Sequence, residues 1–298
     1  MNKALLLGGI SEAKKLAQQL TDHKVPFIYS IKGIVRKPVA NYPVLIGGFS
    51  QFHPNESSTS AKPYDKTINI PSLSGLITYI NTNHIRLIVD CTHPYAADIS
   101  INAALAAEYT GIDYLQYSRP AWDMSILSCP PWNLKVEELP SFDEILNKTT
   151  SLSAVFWATG DKSLKMLGDR KPPNQTWLFR TAIAPVVKPV VKPVVKPVVK
   201  PGEKPASSVG NIELIHQIGP FSVEDEIALM KKYRISALVC KNSGGIINEP
   251  KLEAASLLQI PVFLLKRPPR PNKSAMNQQF SSIDALFNEI IAATKSPN

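Results

Sequence analysis

Hydrophobic positions along the chain alternate between short continuous runs and stretches with helical spacing. The aliphatic run Lys3–Leu7 ends at Gly8-Gly9, and from Ser11 onward apolar residues recur at the i, i+3, i+4, i+7 spacing of a helix with one buried face. This pattern predicts a buried strand, a tight glycine turn and a helix. We expect the Ser11 hydroxyl to cap that helix.

The same alternation continues to the end of the chain. In the first half it predicts strands at 27–31, 44–46, 85–91 and 114–117, and helices at 73–83 and 96–109. In the second half it predicts strands at 154–158, 177–180, 212–216, 237–240 and 262–265, and helices at 163–167, 223–233, 249–258 and 283–293. Strands that alternate with helices indicate parallel sheets covered on both faces. We therefore predict an α/β protein of two Rossmann-like, doubly wound lobes, residues 1–118 and 119–298, with a cleft between them.

Two segments fit neither lobe. Residues 52–66 are rich in Ser, Asn, Pro and Lys and lack periodicity, so they are interpreted as an inserted loop. Residues 186–206 contain four copies of Val-Val-Lys-Pro. A proline at every fourth position removes backbone donors and disfavours helical backbone before it. An extended polyproline-like spacer is the expected result.

Charge and composition exclude several classes of protein. The net charge is +9, but Val186–Pro205 contributes five lysines and one glutamate, which leaves the remainder at +5. No basic stripe with interleaved aromatic residues suggests nucleic acid as a partner. No apolar run approaches the length of a membrane helix, so no membrane partner is expected. Cys91, Cys129 and Cys240 are scattered, which favours a reducing, cytoplasmic compartment and no metal site.

The first glycine turn has the position of a dinucleotide-binding turn. Gly8 and Gly9 lie where a strand ends and a helix begins, and Glu12 lies in the first helical turn. Ile10 replaces the second glycine of the usual fingerprint. The turn alone therefore fits a phosphate site and a plain strand-to-helix connection equally well.

A second candidate follows the most apolar strand of the first lobe. Thr92 and His93 should lie at the carboxyl edge of the sheet, where open α/β sheets bind ligands. His93 can bind a phosphate or carboxylate, or donate a proton, because its ordinary pKa lies near neutrality. The alternative is a histidine that only fixes the turn.

The second lobe has similar candidates at its strand ends. Lys241-Asn242-Ser243-Gly244 combines a cation, two hydrogen-bonding side chains and a flexible backbone, which suits an oxyanion. Gly219 and Phe221 offer a ring on which a flat ligand can stack. A solvated loop and a packed ring are the structural alternatives. No nucleophile with its base is evident, which disfavours hydrolysis.

Taken in order, these segments resemble the precorrin-6A reductase family of cobalamin biosynthesis. The likeness runs from the first strand to about Pro271. It rests on Leu5–Ala13, Ile46–Phe49, Asp90–Ser100, Tyr114–Trp122, Ala158–Gly160, Gly219–Leu229, Lys241–Ala255 and Pro261–Pro268.

The resemblance implies reduction of one double bond of precorrin-6A, or of its cobalt form, to precorrin-6B by hydride from NADPH or NADH. The macrocycle carries many carboxylates, so cations such as Arg119, Lys241 and Arg180 are implied to bind it. The implied cofactor-binding residues are Gly8, Gly9, Ser11, Glu12, Lys32, Gly33, Arg36, Thr92 and His93. The implied substrate-binding residues are Tyr95, Arg119, Thr159, Gly160, Gly219, Phe221, Lys241, Asn242, Ser243 and Gly244.

The segment after the second strand departs from the family pattern. Family members tend to have Ser-x-Ala-Gly-Arg there, whereas this chain has Ser30-Ile31-Lys32-Gly33-Ile34. Ile34 replaces the arginine that binds the 2′-phosphate of NADPH, and Lys32 or Arg36 is expected to substitute for it. The choice between NADPH and NADH stays open.

Two other kinds of protein are alternatives. A Rossmann-like methyltransferase also needs a glycine turn after its first strand, but it carries an acidic residue after the second strand, where residues 30–36 are basic. A non-catalytic nucleotide-binding or scaffold protein would use the Val-Val-Lys-Pro tract for docking.

Overall fold

A computed structural model describes residues 2–33, 40–54, 70–181, 211–245, 249–270 and 277–295. The chain divides into two compact units. The first consists of Met1–Pro120 and Pro268–Asn298, and the second of Ala121–Arg267. The insertion at 186–206, most of the insertion at 52–66, and both Ile34 and Arg36 lie outside the described residues.

The described residues form twelve strands and nine α-helices. The strands are β1 Lys3–Leu7, β2 Phe27–Ile31, β3 Val44–Ile46, β4 Ile85–Asp90, β5 Asp113–Tyr117, β6 Val136–Leu139, β7 Ala154–Ala158, β8 Thr176–Thr181, β9 Ile212–His216, β10 Ala237–Lys241, β11 Val262–Leu265 and β12 Asn277–Phe280. The helices are α1 Ser11–Asp22, α2 Pro71–Thr82, α3 Ala97–Thr110, α4 Met124–Leu127, α5 Phe142–Thr149, α6 Asp161–Leu167, α7 Val223–Lys232, α8 Glu249–Leu257 and α9 Ile283–Lys295.

The first unit is a six-stranded parallel sheet in the order β3-β2-β1-β4-β5-β12. Successive residues of β1 face opposite sides, as the strand period of two requires. Ala4 and Leu6 join a core cluster that includes residues of α1 and α9, whereas Leu5 and Leu7 join a cluster with residues of α2 and α3. Both faces of the sheet are therefore covered, which is the doubly wound arrangement that the sequence predicts.

The sixth strand of this sheet comes from the C-terminal part of the chain. β12 pairs in parallel with β5, with Gln278 opposite Leu115, and Leu286 and Ile290 of α9 are completely buried in the core cluster that includes α1. The sequence analysis places residues 268–298 in the second lobe, and the structure places them in the first. Periodicity did not indicate β12, because Asn277-Gln278-Gln279 lacks the apolar side chains of a buried strand.

The second unit is also a six-stranded parallel sheet, and it differs from the first in the origin of one edge strand. Its parallel sheet runs β9-β8-β7-β10-β11-β6, so its outermost position beyond β11 is filled by a strand that precedes the other five in sequence. One face buries the rings of Trp157, Trp177 and Phe179, whose centroids lie 5.1 to 5.9 Å apart. The first unit thus has the 3-2-1-4-5-6 order of Rossmann sheets, and the second has the same arrangement in β7 to β11 but takes its edge strand, β6, from before them in sequence.

The structure forms one of the two helix caps that the sequence predicts. Ser222 and Asp225 form the capping box that their spacing permits at the start of α7. The expected cap by Ser11 is wrong: Ile10 is the N-cap of α1, and the Ser11 hydroxyl donates to the Glu12 carboxylate at 2.8 Å instead. Within the described part of the chain, no helix combines the length and the apolar character needed to span a bilayer.

Because α9 packs in the core of the first unit, a core mutation in α9 should destabilise that unit. Leu286→Ala should remove about 2 to 5 kcal/mol of stability, because it opens a cavity at a fully buried position. Hydrogen exchange should accelerate in α1 and leave α7 unchanged. Leu257→Ala is the control, since Leu257 is 63% exposed and lies in the second unit. Acceleration in α7 with α1 unaffected would contradict this packing.

Candidate functional site

Gly8 and Gly9 connect β1 to α1, and each has its own reason to be glycine. A Cβ on Gly8 would lie 2.3 Å from the ring of Tyr29, which is buried. Gly9 has a φ of +145°, and a Cβ there would meet the His93 nitrogen as its nearest neighbour, at 3.9 Å. Gly8 is thus required for packing, whereas Gly9 leaves an opening beside the turn that follows β4.

The backbone N–H groups of the Gly8-Gly9 turn already make hydrogen bonds within the protein. The Gly8 N–H donates to the Ser30 carbonyl at 2.8 Å, and the backbone of Gly9 hydrogen-bonds to the Tyr29 hydroxyl. Burial raises the pKa of Tyr29 to about 12, so the hydroxyl stays neutral. Any anion at this turn would therefore meet the N–H groups of the first turn of α1 rather than those of the two glycines.

Glu12 and Arg119 form an ion pair at the N-terminus of α1. Arg119 Nη2 lies 2.6 Å from Glu12 Oε2, and the two side chains are 8% and 20% exposed. Burial raises the pKa of Glu12, but hydrogen bonds from Ser11, from its own backbone and from Arg119 outweigh burial and hold that pKa below its ordinary value. The structure thus brings Arg119, an implied substrate cation, onto a predicted cofactor residue.

The turn after β4 presents His93 at the carboxyl edge of the first sheet. His93 is half-buried, and its Nδ1 accepts a hydrogen bond from the Tyr95 N–H at 3.2 Å. A neutral imidazole that accepts at Nδ1 carries its proton on Nε2. Thr92 is buried, and its hydroxyl lies 3.2 Å from that of Ser100. The neutral His93 ring can therefore donate a hydrogen bond from Nε2, and Thr92 is tied to the start of α3.

At the exit of β2, Lys32 and Gly33 are exposed. A Cβ on Gly33 would meet nothing within 4 Å. β2 is the neighbour of β1 in the sheet, so this exit lies beside the Gly8-Gly9 turn. Lys32 is accordingly a cation at the edge that the sequence assigns to the cofactor.

The loop after β10 is organised by Asn242. Its amide nitrogen donates to Glu138 Oε1 at 2.7 Å, its side-chain oxygen accepts from the Trp122 N–H at 2.9 Å, and its carbonyl accepts from Arg267 Nε at 2.7 Å. Asn242 is 3% exposed. Its side chain thus holds parts of the second unit together, a role that the Lys-Asn-Ser-Gly pattern did not reveal.

Other predicted residues of the second unit gather at the same sheet edge. β7 pairs with β10, which brings Thr159 and Gly160 next to Lys241 and the two residues after Asn242. Thr159 is buried and its hydroxyl hydrogen-bonds to that of Ser163 at 2.5 Å. Ser243 and Gly244 are buried, and Lys241 is half-buried.

Arg180 and Phe221, which the sequence assigns separately to the substrate, contact each other. The guanidinium lies 4.1 Å from the Phe221 ring centroid and 4.9 Å from that of Phe156. It also makes two bonds of 2.7 Å to the Glu226 carboxylate, which is 1% exposed. A buried carboxylate thus already neutralises Arg180, which disfavours its interpretation as a substrate cation.

Sequence reasoning assigned no role to Asp90 or Arg270, although both lie at the His93 turn. Asp90 is completely buried, and its carboxylate lies 3.6 Å from the Arg270 guanidinium. A lone acidic residue at the end of an apolar strand was the available signal for Asp90. Arg270 lies far away in sequence, in a proline-rich segment, so no local pattern connected the two.

The groups at this edge fit a dinucleotide cofactor. The opening at Gly9 gives close access to the backbone, and in the described chain α1 has no side-chain hydrogen bond at its N-cap. Lys32 supplies a cation at the neighbouring strand exit. β1 and β4 flank the point at which the strand order reverses, where Rossmann sheets bind such ligands. Fold and geometry together define a Rossmann-type α/β protein with a candidate ligand site at the switch point of its first sheet.

Comparison with known proteins narrows this class. The family model described as precorrin-6x reductase CbiJ/CobK matches residues 55–290. A precorrin-6A reductase from Rhodococcus erythropolis is 33% identical over 273 residues, 91% of each chain, and one from Mycobacterium tuberculosis is 29% identical over the same coverage. A solved structure described as CobK precorrin-6A reductase has the same fold, with a TM-score of 0.73 and 24% identity over the whole of both chains.

The chain belongs to the precorrin-6x reductase family. It is therefore a reductase of cobalamin biosynthesis, and the resemblance drawn from its motifs is confirmed. The methyltransferase and scaffold alternatives are not favoured.

The Glu12–Arg119 pair predicts a pH-dependent contribution to stability. Arg119→Gln should lower the free energy of unfolding by about 1 to 3 kcal/mol at neutral pH, because Glu12 loses a charged partner. The folded pKa of Glu12 lies below its ordinary value of 4.5, so the contribution is complete above that value and is lost as the pH falls through the folded pKa. Urea denaturation between pH 7 and pH 3 should therefore show the difference between the two proteins shrinking.

A control uses an exposed ion pair. Lys148 and Glu137 are 52% and 45% exposed, so Lys148→Gln should change stability by less than about 1 kcal/mol. A deficit for Arg119→Gln that stays constant across the pH range would contradict the coupling to Glu12.

Proposed function

We propose that the protein reduces one double bond of precorrin-6A, or of its cobalt form, with a reduced nicotinamide cofactor, NADPH in preference to NADH. Membership of the precorrin-6x reductase family supports this, and the observation that carries it is the opening at Gly9 beside His93 at the switch point of the first sheet. A reduced nicotinamide supplies the hydride when it is bound. The protein has to bind, orient and shield the reactants, and water supplies the accompanying proton.

In this proposal the cofactor is held by the loops of the first unit. Gly9 would admit its pyrophosphate and the Ser11 N–H at the start of α1 would bind it, while Gly8 lets the turn pack on Tyr29 and Glu12, whose N–H bonds to its own carboxylate, positions Arg119. Lys32, with Gly33 beside it, binds the 2′-phosphate that distinguishes NADPH from NADH. Arg36, the other candidate, lies outside the described residues.

His93 and Thr92 complete the cofactor edge. The contact of Nδ1 with the Tyr95 N–H favours the neutral tautomer with the proton on Nε2, and we assign that N–H as a hydrogen-bond donor to the reactants, while the proton that the double bond gains comes from water. Hydride and proton then add to the two atoms of the bond, which leaves the macrocycle with one double bond fewer. Thr92 holds the turn through Ser100.

The substrate carboxylates are assigned to the edge of the second sheet. Lys241 supplies a charge, Ser243 and Gly244 supply hydrogen-bond donors, and Asn242 acts by fixing the loop. The remaining substrate assignments, which rest on the family resemblance, are Tyr95, Arg119, Thr159, Gly160, Gly219 and Phe221. Arg119 and Phe221 already contact Glu12 and Arg180, so we expect them to contribute position more than charge.

Turnover tests the proposal directly. The purified protein should oxidise NADPH only when precorrin-6A or cobalt-precorrin-6A is present, because no group of the protein itself accepts a hydride. Loss of the reduced-nicotinamide absorbance should match the formation of a macrocycle heavier by two hydrogen atoms, measured by mass spectrometry. Macrocycle-independent oxidation, or transfer of a methyl group from S-adenosylmethionine instead, would contradict it.

The assignment of Lys32 predicts a change in cofactor preference. Lys32→Ala should lower kcat/KM for NADPH roughly tenfold, the value of one charged hydrogen bond, and leave kcat/KM for NADH nearly unchanged. Lys24→Ala is the control, since Lys24 is exposed and precedes β2, at the opposite end of the same strand. An equal fall for both cofactors, or no fall for either, would show that Lys32 does not bind the 2′-phosphate.

A further inference from the structure

Asp90, the last residue of β4, is completely buried and is held from several directions. Its Oδ1 accepts from the Thr92 N–H at 2.9 Å, and its Oδ2 accepts from the Tyr114 hydroxyl at 2.7 Å and from Gln116 Nε2 at 3.2 Å. Arg270 Nη1 lies 3.6 Å from the same Oδ2. The carboxylate therefore links the end of β4 to β5 and to the C-terminal segment.

Arg270 contacts the backbone of the turn as well as this carboxylate. Its Nη2 donates to the His93 carbonyl at 2.8 Å and lies 3.4 Å from the Thr92 carbonyl. The guanidinium is planar and rigid, so one side chain can reach an acid and two carbonyls at once. Its side chain is 14% exposed. Arg270 thus fixes the turn from the side of the buried acid.

This arrangement sets the direction of a backbone donor. In a trans peptide the carbonyl and the N–H point in opposite directions. The Thr92 carbonyl is directed toward Arg270, so the N–H of His93, which belongs to the same peptide, is directed away from it. The His93 nitrogen is also the atom closest to a Cβ placed on Gly9. Arg270 therefore holds a peptide whose N–H points away from it and whose nitrogen lies beside the opening at Gly9.

We propose that Arg270, together with Asp90, is a positioning residue for cofactor binding, which holds the Thr92–His93 turn so that the His93 N–H and imidazole face the cofactor. Neither residue is assigned a contact with cofactor or substrate. The proposal rests on the proposed function, which places the cofactor at this turn. It adds the C-terminal segment to the machinery of a site formed otherwise by N-terminal residues.

A nearby arginine provides a matched control. Arg267 lies three residues earlier in the same segment, and its Nε donates to the Asn242 carbonyl at 2.7 Å. It therefore binds a loop carbonyl as Arg270 does, but in the second unit. Replacement of either arginine by glutamine removes the same charge from the same segment, and only one of the two changes the His93 turn.

The test measures cofactor binding and turn dynamics without turnover. Arg270→Gln should weaken NADPH binding about tenfold, measured by reduced-nicotinamide fluorescence, because a charged hydrogen-bond donor is lost. It should also accelerate hydrogen exchange of the amides at 92–96. Arg270→Lys keeps the charge without the planar fork, and it should recover part of the affinity. Arg267→Gln should leave the Kd for NADPH within about twofold of the wild-type value.

The outcomes separate this proposal from the proposed function. Wild-type protein that binds neither NADPH nor NADH would contradict the proposed function, and with it this assignment. Wild-type binding together with an unchanged Kd in Arg270→Gln would overturn the positioning role alone, whatever happens to the melting temperature. If Arg270→Gln does not fold, Arg270→Lys decides: a Kd and an exchange rate equal to those of the wild type would overturn the proposal.

Discussion

The parallel pairing of β1 with β4 is the constraint on which the first unit depends. The helix after β1 packs on one face of the sheet and the helix after β4 packs on the other, as the two separate core clusters show. Because the chain leaves the two strands toward opposite faces, the turns that follow them diverge. The divergence exposes the backbone at Gly9 beside the turn of His93, so the candidate site is a direct result of strand order.

Buried ion pairs then give these loops their shape. Arg119 contacts Glu12, Arg180 contacts Glu226, and Arg270 contacts Asp90, and each pair joins elements that are distant in sequence. A buried pair adds little net stability, yet removal of one partner leaves an uncompensated charge. Such pairs therefore fix the geometry of the loops that contain them.

Much of the fold could be predicted because the strands that form the centres of both sheets are short apolar runs. Leu5, Leu6 and Val239 are completely buried, and the hydrophobic pattern alone indicates such positions. β12 escaped prediction because it carries Asn and Gln, and β6 because its exposed Glu137 and Glu138 break the apolar run.

The site was less predictable than the fold. Gly9 and His93 follow two neighbouring parallel strands. The topology of the sheet therefore brings them together at one edge. The partners of Arg119, Arg180 and Asn242 could not be deduced, since each is a contact between segments far apart in the chain. Whether a charged side chain meets a ligand or a carboxylate of its own protein is decided by tertiary packing, which no local pattern records.

The position of β12 has a consequence for the order of events on the ribosome. Synthesis delivers β1 to β5 early, but the strand that covers the edge of β5 is made only after the entire second unit. Until then β5 presents unpaired N–H and C=O groups, the kind of edge to which another chain can add. The second unit is contiguous in sequence and can complete its sheet while the first still waits for its last strand. The N-terminal half of the nascent protein is thus the one that depends on protection from premature association.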